Sequence, residues 1–198
     1  MKPTPSNPKL TSPSKNQGMS EAPFLHCNRC GRPEPQPVSH REFVCASCDY
    51  RHFVTPFPAA CALLLDAENR ILLIRRANEP GRGLLCVPGG VVEGGETAEE
   101  AVSRETLEEI GLDLPASEFS YFAALPNRYP FQGYVWPTLD LFYLARVSSF
   151  ENIQAQESEV SGWEIIPLAD VDYREFAFES NAEAVRRLNA NLPGSVCT

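Results

Sequence analysis

With 198 residues, 43% of them apolar and 22% charged, the chain can bury a real core and has room for one ordinary domain plus a small module. Its net charge of −9 is unevenly spread: residues 1–55 hold seven Lys/Arg against four Asp/Glu, and residues 56–198 hold ten against 22. The acidic majority repels nucleic acid, and residues 56–198 contain neither histidine nor lysine. This excludes a serine–histidine hydrolase there and leaves acid–base work to carboxylates, tyrosine or metal-bound water.

Residues 1–22 are rich in proline and serine and lack a long apolar run, so a disordered tail is expected, neither signal peptide nor anchor. No later segment approaches 18 unbroken apolar residues; the expectation is no membrane span and a cytoplasmic location. Two CxxC knuckles follow, Cys27-Asn28-Arg29-Cys30 and Cys45-Ala46-Ser47-Cys48, with 14 residues between them. Tetrahedral Zn²⁺ takes four ligands and each knuckle presents two from a tight turn, so residues 23–55 read as a zinc ribbon with a structural Zn²⁺ on Cys27, Cys30, Cys45 and Cys48. Disulfides are the alternative, disfavoured in a chain without an export signal. Phe24, Phe43, Tyr50 and Phe53 read as the ribbon's minimal core in preference to base-stacking residues, and Cys61 and Cys86 as small core residues.

Beyond the ribbon, residues 59–65 and 71–74 read as strands about a turn at 66–70. The stretch CVPGGVVEGGE from Cys86 to Glu96 places a Pro-Gly-Gly turn between apolar pairs and a Gly-Gly loop ahead of a helix. That helix is expected over 98–110, because Thr97 and Glu100 form a capping box and Gly111 supplies a left-handed stop. At about 100° per residue, Glu105, Glu108 and Glu109 share one face with Ala98, Ala101 and Val102. A solvated charge run is the bland meaning of clustered glutamates. However, each neighbouring pair costs on the order of 3 kcal/mol before screening, so an arginine or a divalent cation is needed to offset it. Further strands are expected at 119–125, 139–147 and 165–166, with a closing helix at 182–189. Strands interleaved with helices imply an α/β fold, a mixed sheet covered on both faces.

Gly90, Glu96, Arg104-Glu105, Glu108-Glu109 and Gly111 stand at the spacing of the Nudix box, GX5EX7REUXEEXGU. Seven fixed residue types at fixed spacing arise by chance at roughly one position in 10⁸, so the resemblance is specific. Thr106 departs from it, standing where the family prefers a bulkier aliphatic residue; looser packing is expected there. The resemblance implies an α/β/α Nudix sandwich over residues 56–192, followed by a C-terminal tail at 193–198. It also implies Mg²⁺ or Mn²⁺ on Glu105, Glu108 and Glu109 with Glu96 adjacent, and Arg104 orienting a glutamate. Glu159 is chosen as the downstream base or further ligand, with Glu157 in reserve.

A zinc ribbon ahead of a Nudix domain resembles the arrangement of the NADH pyrophosphatases, whose SQPWPF motif is matched here only by Pro130 and Phe131, with Tyr129 aromatic in place of Trp. The resemblance implies cleavage of the pyrophosphate in a nucleoside diphosphate linked to another group, such as NADH or ADP-ribose. Substrate is expected at Gly89, Gly90, Arg75, Arg76 and an aromatic loop carrying Arg128, Tyr129 and Phe131. A small nucleotide is the expected partner, nucleic acid only through a dinucleotide-capped end, and a second copy of the chain is a further candidate. The alternative is a non-catalytic Nudix ligand sensor whose ribbon contacts nucleic acid or a protein; loss of box glutamates would favour it, and none is lost.

Overall fold

The computed structural model describes residues 23–191; the tails expected at 1–22 and 193–198 lie outside them. Three short antiparallel strands, β1 (Gln36–Pro37), β2 (Glu42–Val44) and β3 (Arg51–Phe53), make a small sheet beside the two knuckles. The knuckles are matched turns: Gly31 N–H donates to the Cys27 carbonyl and Asp49 N–H to that of Cys45, each at 2.9 Å. Gly31 and Asp49 both take the left-handed backbone that closes such a turn. Phe24 packs edge-on against buried Phe43 and lies against His52, while Phe53 is 52% exposed and adds little to that core.

A larger sheet follows. Its strands are β4 (Phe57–Leu65), β5 (Arg70–Arg76), β6 (Leu85–Cys86), β7 (Gly89–Val91), β8 (Ser120–Phe131), β9 (Tyr134–Arg146) and β10 (Val160–Pro167). The main order is β10-β5-β4-β9-β8, with β6 on β5 and β7 on β4. Only the β4–β9 pairing is parallel, so the sheet is mixed.

Strand alternation explains the unbroken apolar run of β4, since both of its faces are covered. Ala60, Ala62 and Leu64 pack toward helix α1 (Ala98–Ile110) with Ala101, Val102 and Ile110. Cys61, Leu63 and Leu65 pack toward helix α2 (Glu179–Asn191) with Ala182, Val185 and Leu188. This is the expected α/β/α sandwich. Helix α1 has the expected bounds, with both capping-box hydrogen bonds present and Gly111 left-handed at φ 70°. Thr106 departs from the expectation of loose packing: it is fully buried, and its hydroxyl donates to the Val102 carbonyl at 2.6 Å, which removes the cost of a polar group there.

Two local expectations are corrected. The Pro-Gly-Gly turn is a short strand, with Gly89 and Gly90 of β7 paired to Cys61 and Ala60. The aromatic loop around Arg128, Tyr129 and Phe131 is the outer half of β8, joined to β9 by the two-residue turn Gln132-Gly133. Both turn residues have positive φ, which matches the twist of a hairpin and overrides the breaking effect of Pro126 and Pro130.

Candidate active site

Helix α1 presents its glutamates to β7, and the two glycines of that strand make the approach possible. A Cβ on Gly90 would lie 2.3 Å from a carboxylate oxygen of Glu105; on Gly89, where φ is +147°, it would lie 2.3 Å from the Ala60 carbonyl oxygen. Gly89 N–H donates to Glu109 Oε2 at 2.8 Å. Glu109 is 7% exposed, and burial pushes its carboxyl up to about 8, helped by the nearby charges of Glu105 and Glu159. Burial also raises Glu105.

Arg104 is the local counterion. Its Nε and Nη2 hold both oxygens of Glu96 at 3.1 and 2.7 Å, and its Nη1 donates to Glu105 at 2.7 Å and to Glu108 at 3.1 Å. The sequence expectation of one oriented glutamate is thus exceeded. Glu96 lies beside the cluster as the arginine's bidentate partner, which holds its pKa down to about 2. Arg104 thus binds three carboxylates, while the fourth, buried Glu109, is held by the Gly89 N–H; these clustered oxygen donors are of the kind a hard divalent cation takes. Glu159 is exposed yet close enough to act electrostatically on both Glu105 and Glu109; Glu157 exerts no comparable influence.

Gly89 and Gly90 also border a cavity of about 590 Å³. Its walls carry Phe57, Tyr129, Phe131, Trp136 and Phe178. Arg76 is the cation lining it, its guanidinium 5.1 Å from the Phe178 ring centre and its Nε bonded to the Pro80 carbonyl at 2.7 Å. Polar groups in the lining are Asn127, Gln132, Thr138, Asp140 and Asn181.

Strand geometry separates the remaining sequence candidates. Along β8 alternate residues face opposite ways, so Asn127, Tyr129 and Phe131 line the cavity while Arg128 borders an adjoining depression, with Pro126 and Glu179, that shares Asn127 and Phe178 with it. Arg75, expected at substrate, is taken up elsewhere: it binds Glu164 and Glu175 and donates to the Gly83 carbonyl at 3.0 Å. Trp136, Phe178 and Asp140 were missed by sequence reasoning. Asp140 did leave a signal, an aspartate inside the apolar strand Leu139–Val147, where strands rarely accept one.

In the ribbon, Cys27, Cys30, Cys45 and Cys48 bring their sulfurs within 4.8 Å of one another, with Cys27–Cys48 at 3.8 Å and Cys30–Cys45 at 3.6 Å. Tetrahedral Zn–S bonds of about 2.3 Å place sulfurs about 3.8 Å apart, so the four thiols fit zinc, and all four are free of disulfides. Among the described residues no helix is long and apolar enough to cross a membrane.

The description "NUDIX domain" matches residues 55–188. Over 139 residues the chain is 32% identical to NAD-capped RNA hydrolase NudC of Haemophilus influenzae, covering 68% of this chain and 48% of that protein. Over 81 residues it is 42% identical to an ADP-ribose pyrophosphatase of Methanocaldococcus jannaschii, covering 41% of this chain and 47% of that one. The chain therefore spans about half the length of these curated relatives. Among solved structures, the NUDIX domain of Shewanella oneidensis NrtR complexed with ADP ribose is similar at a TM-score of 0.58 and 24% identity, covering 71% of this chain and 91% of that one. A NUDIX hydrolase from Nitrosomonas europaea gives 0.61 at 19% identity, covering 86% and 95%. At that identity the likeness is one of fold. Taken with the acidic helix lying against its glycine strand, the match over most of the chain shows that the protein belongs to the Nudix family.

Proposed function

We propose that this chain is a divalent-metal-dependent hydrolase that cleaves the pyrophosphate of a nucleoside diphosphate linked to another group, with NADH or ADP-ribose as substrate. The observation that carries the reading is the junction at Gly89-Gly90, where buried carboxylates meet an aromatic-walled cavity large enough for a nucleoside.

Glu105, Glu108 and Glu109 would hold Mg²⁺ or Mn²⁺, with Glu96 and Arg104 fixing the set. Such an ion, when bound, would neutralise phosphate charge and lower the pKa of water. The chain's own groups do the rest. Tyr129 and Phe131 stack on a flat ring, and Arg76 meets the diphosphate oxygens with a fixed positive charge. Glu159 takes a proton from the attacking water as the phosphorus–oxygen bond of the anhydride breaks, leaving two phosphomonoesters. Zinc on the four cysteines holds the ribbon folded and takes no part in this step.

Purified protein with Mg²⁺ or Mn²⁺ should release AMP from NADH or ADP-ribose, and EDTA should abolish the release. In ¹⁸O-labelled water the label should appear on a phosphate of one product. Label on a sugar carbon, or free nicotinamide, would overturn the chemistry. Tight ADP-ribose binding without turnover would favour the sensor reading instead.

A further inference from the structure

Asp140 is 3% exposed, borders the aromatic cavity and makes no hydrogen bond to the acidic helix cluster. Its carboxylate accepts from the Thr138 hydroxyl at 2.7 Å and from the Ser180 hydroxyl at 2.6 Å, with Asn127 in the same cavity lining. None of these partners is charged. An ionisable group in the middle of β9 destabilises the fold relative to leucine, so packing alone gives no reason for it. A carboxylate offers about four acceptor positions, and two hydroxyl donors leave acceptor capacity unfilled in a residue that borders the cavity. Close by, Asn181 spends its carbonyl oxygen on the Val87 N–H at 3.0 Å and one amide N–H on the Ser180 hydroxyl at 3.4 Å, which leaves its second amide N–H as a donor in the cavity lining. An acceptor and a donor in one lining under aromatic walls form a recognition edge for a flat ring that carries an N–H₂ next to an acceptor.

We infer that Asp140 accepts a hydrogen bond from an N–H₂ group on the planar heterocycle of the substrate and so selects which dinucleotides are cleaved. This rests on the hydrolase reading above. Two groups share the required chemistry, the exocyclic amine of adenine and the carboxamide of nicotinamide. In the hypoxanthine analogue a carbonyl oxygen replaces the amine; in the nicotinic acid analogue a carboxylate replaces the carboxamide. Either change would set lone pairs against the Asp140 carboxylate.

The test measures kcat/KM of the full chain with Mg²⁺ on NAD, on its hypoxanthine analogue and on its nicotinic acid analogue. One analogue should be cleaved at least ~30-fold less efficiently than NAD, and which one it is identifies the ring that Asp140 reads. Asp140→Asn, which adds a donor at that edge, should bring the same ratio to within ~3-fold even if overall activity falls. A purely structural role would lower all three substrates together and leave the ratio in place. Cleavage of all three within ~3-fold by the parent protein overturns the inference, as does an unchanged ratio in Asp140→Asn. The parent ratio alone decides the matter if that variant does not fold. Failure to cleave any of the three, or ADP-ribose, overturns the hydrolase reading itself and this inference with it.

Discussion

Replacing Glu109 by glutamine should raise stability while destroying activity. The carboxyl is 7% exposed with a pKa pushed up to about 8, against an ordinary value near 4.5. Because the unfolded chain ionises this carboxyl near 4.5, the metal-free fold at pH 8 is on the order of 4–5 kcal/mol less stable than with a side chain that stays neutral in both states. Glutamine keeps an oxygen to accept the Gly89 N–H and introduces a buried N–H₂ whose loss of solvation offsets about 1–3 kcal/mol of the gain. The net is roughly 1–4 kcal/mol of stabilisation, or a rise of about 2–16 °C in Tm for a chain of this size, read by circular dichroism in EDTA at pH 8. Added Mg²⁺ should then raise the Tm of the parent and leave the variant nearly unmoved. Turnover with saturating Mg²⁺ should fall at least ~100-fold, on the order of 2.7 kcal/mol in barrier. Parent-like turnover, or a variant less stable than the parent under metal-free conditions, would refute the picture of a buried ligand waiting for a cation.

The metal-free protein should lose stability as pH rises. Protonated Glu109 contributes fully below about pH 4.5, and that contribution disappears as pH climbs through about 8; Glu105 and Asp140 are raised in the same direction. A Tm that holds steady or rises from pH 6 to pH 8 in EDTA would contradict this. The glycines should separate stability from activity. Gly89→Ala forces a Cβ into the backbone of β4 and should cost at least ~2 kcal/mol in urea unfolding, whereas Gly90→Ala displaces only the flexible Glu105 side chain and should cut turnover at least ~10-fold with little effect on folding. Equal effects of the two would show that the contact distances do not govern the site. Elemental analysis should find one zinc per chain, lost with any of the four cysteines; less than about half an equivalent after metal-replete expression would refute the four-thiolate assignment.

The acidic helix was legible because its signals are local: a cap at Thr97, a stop at Gly111 and a carboxylate face between them all lie within a few turns. The knuckles were legible for the same reason, since four ligands at fixed spacing need no knowledge of the rest of the chain. The cavity was not. Its walls come from β4, β8, β9 and the segment before α2, brought together by a parallel β4–β9 pairing that no short pattern announces. Arg75 and Arg128 lie outside the cavity lining for a related reason. Sequence shows a cation but not which face of a strand carries it, and one-residue alternation is enough to turn Arg128 away while Tyr129 faces in. Pro130 looked like a loop residue because its missing N–H penalises a strand, yet β8 pairs through it at the end of a hairpin.

Arg104 sets the acidic platform apart from the ribbon. It bonds Glu96, Glu105 and Glu108, so these three carboxylates already have a positive charge of the chain's own to offset their repulsion. The four cysteines have no such stand-in, because no cation of the chain is bonded to their sulfurs among the described residues. On the proposed metal assignments, withdrawing zinc should therefore unfold the ribbon, whereas withdrawing magnesium should stop turnover and leave the fold in place.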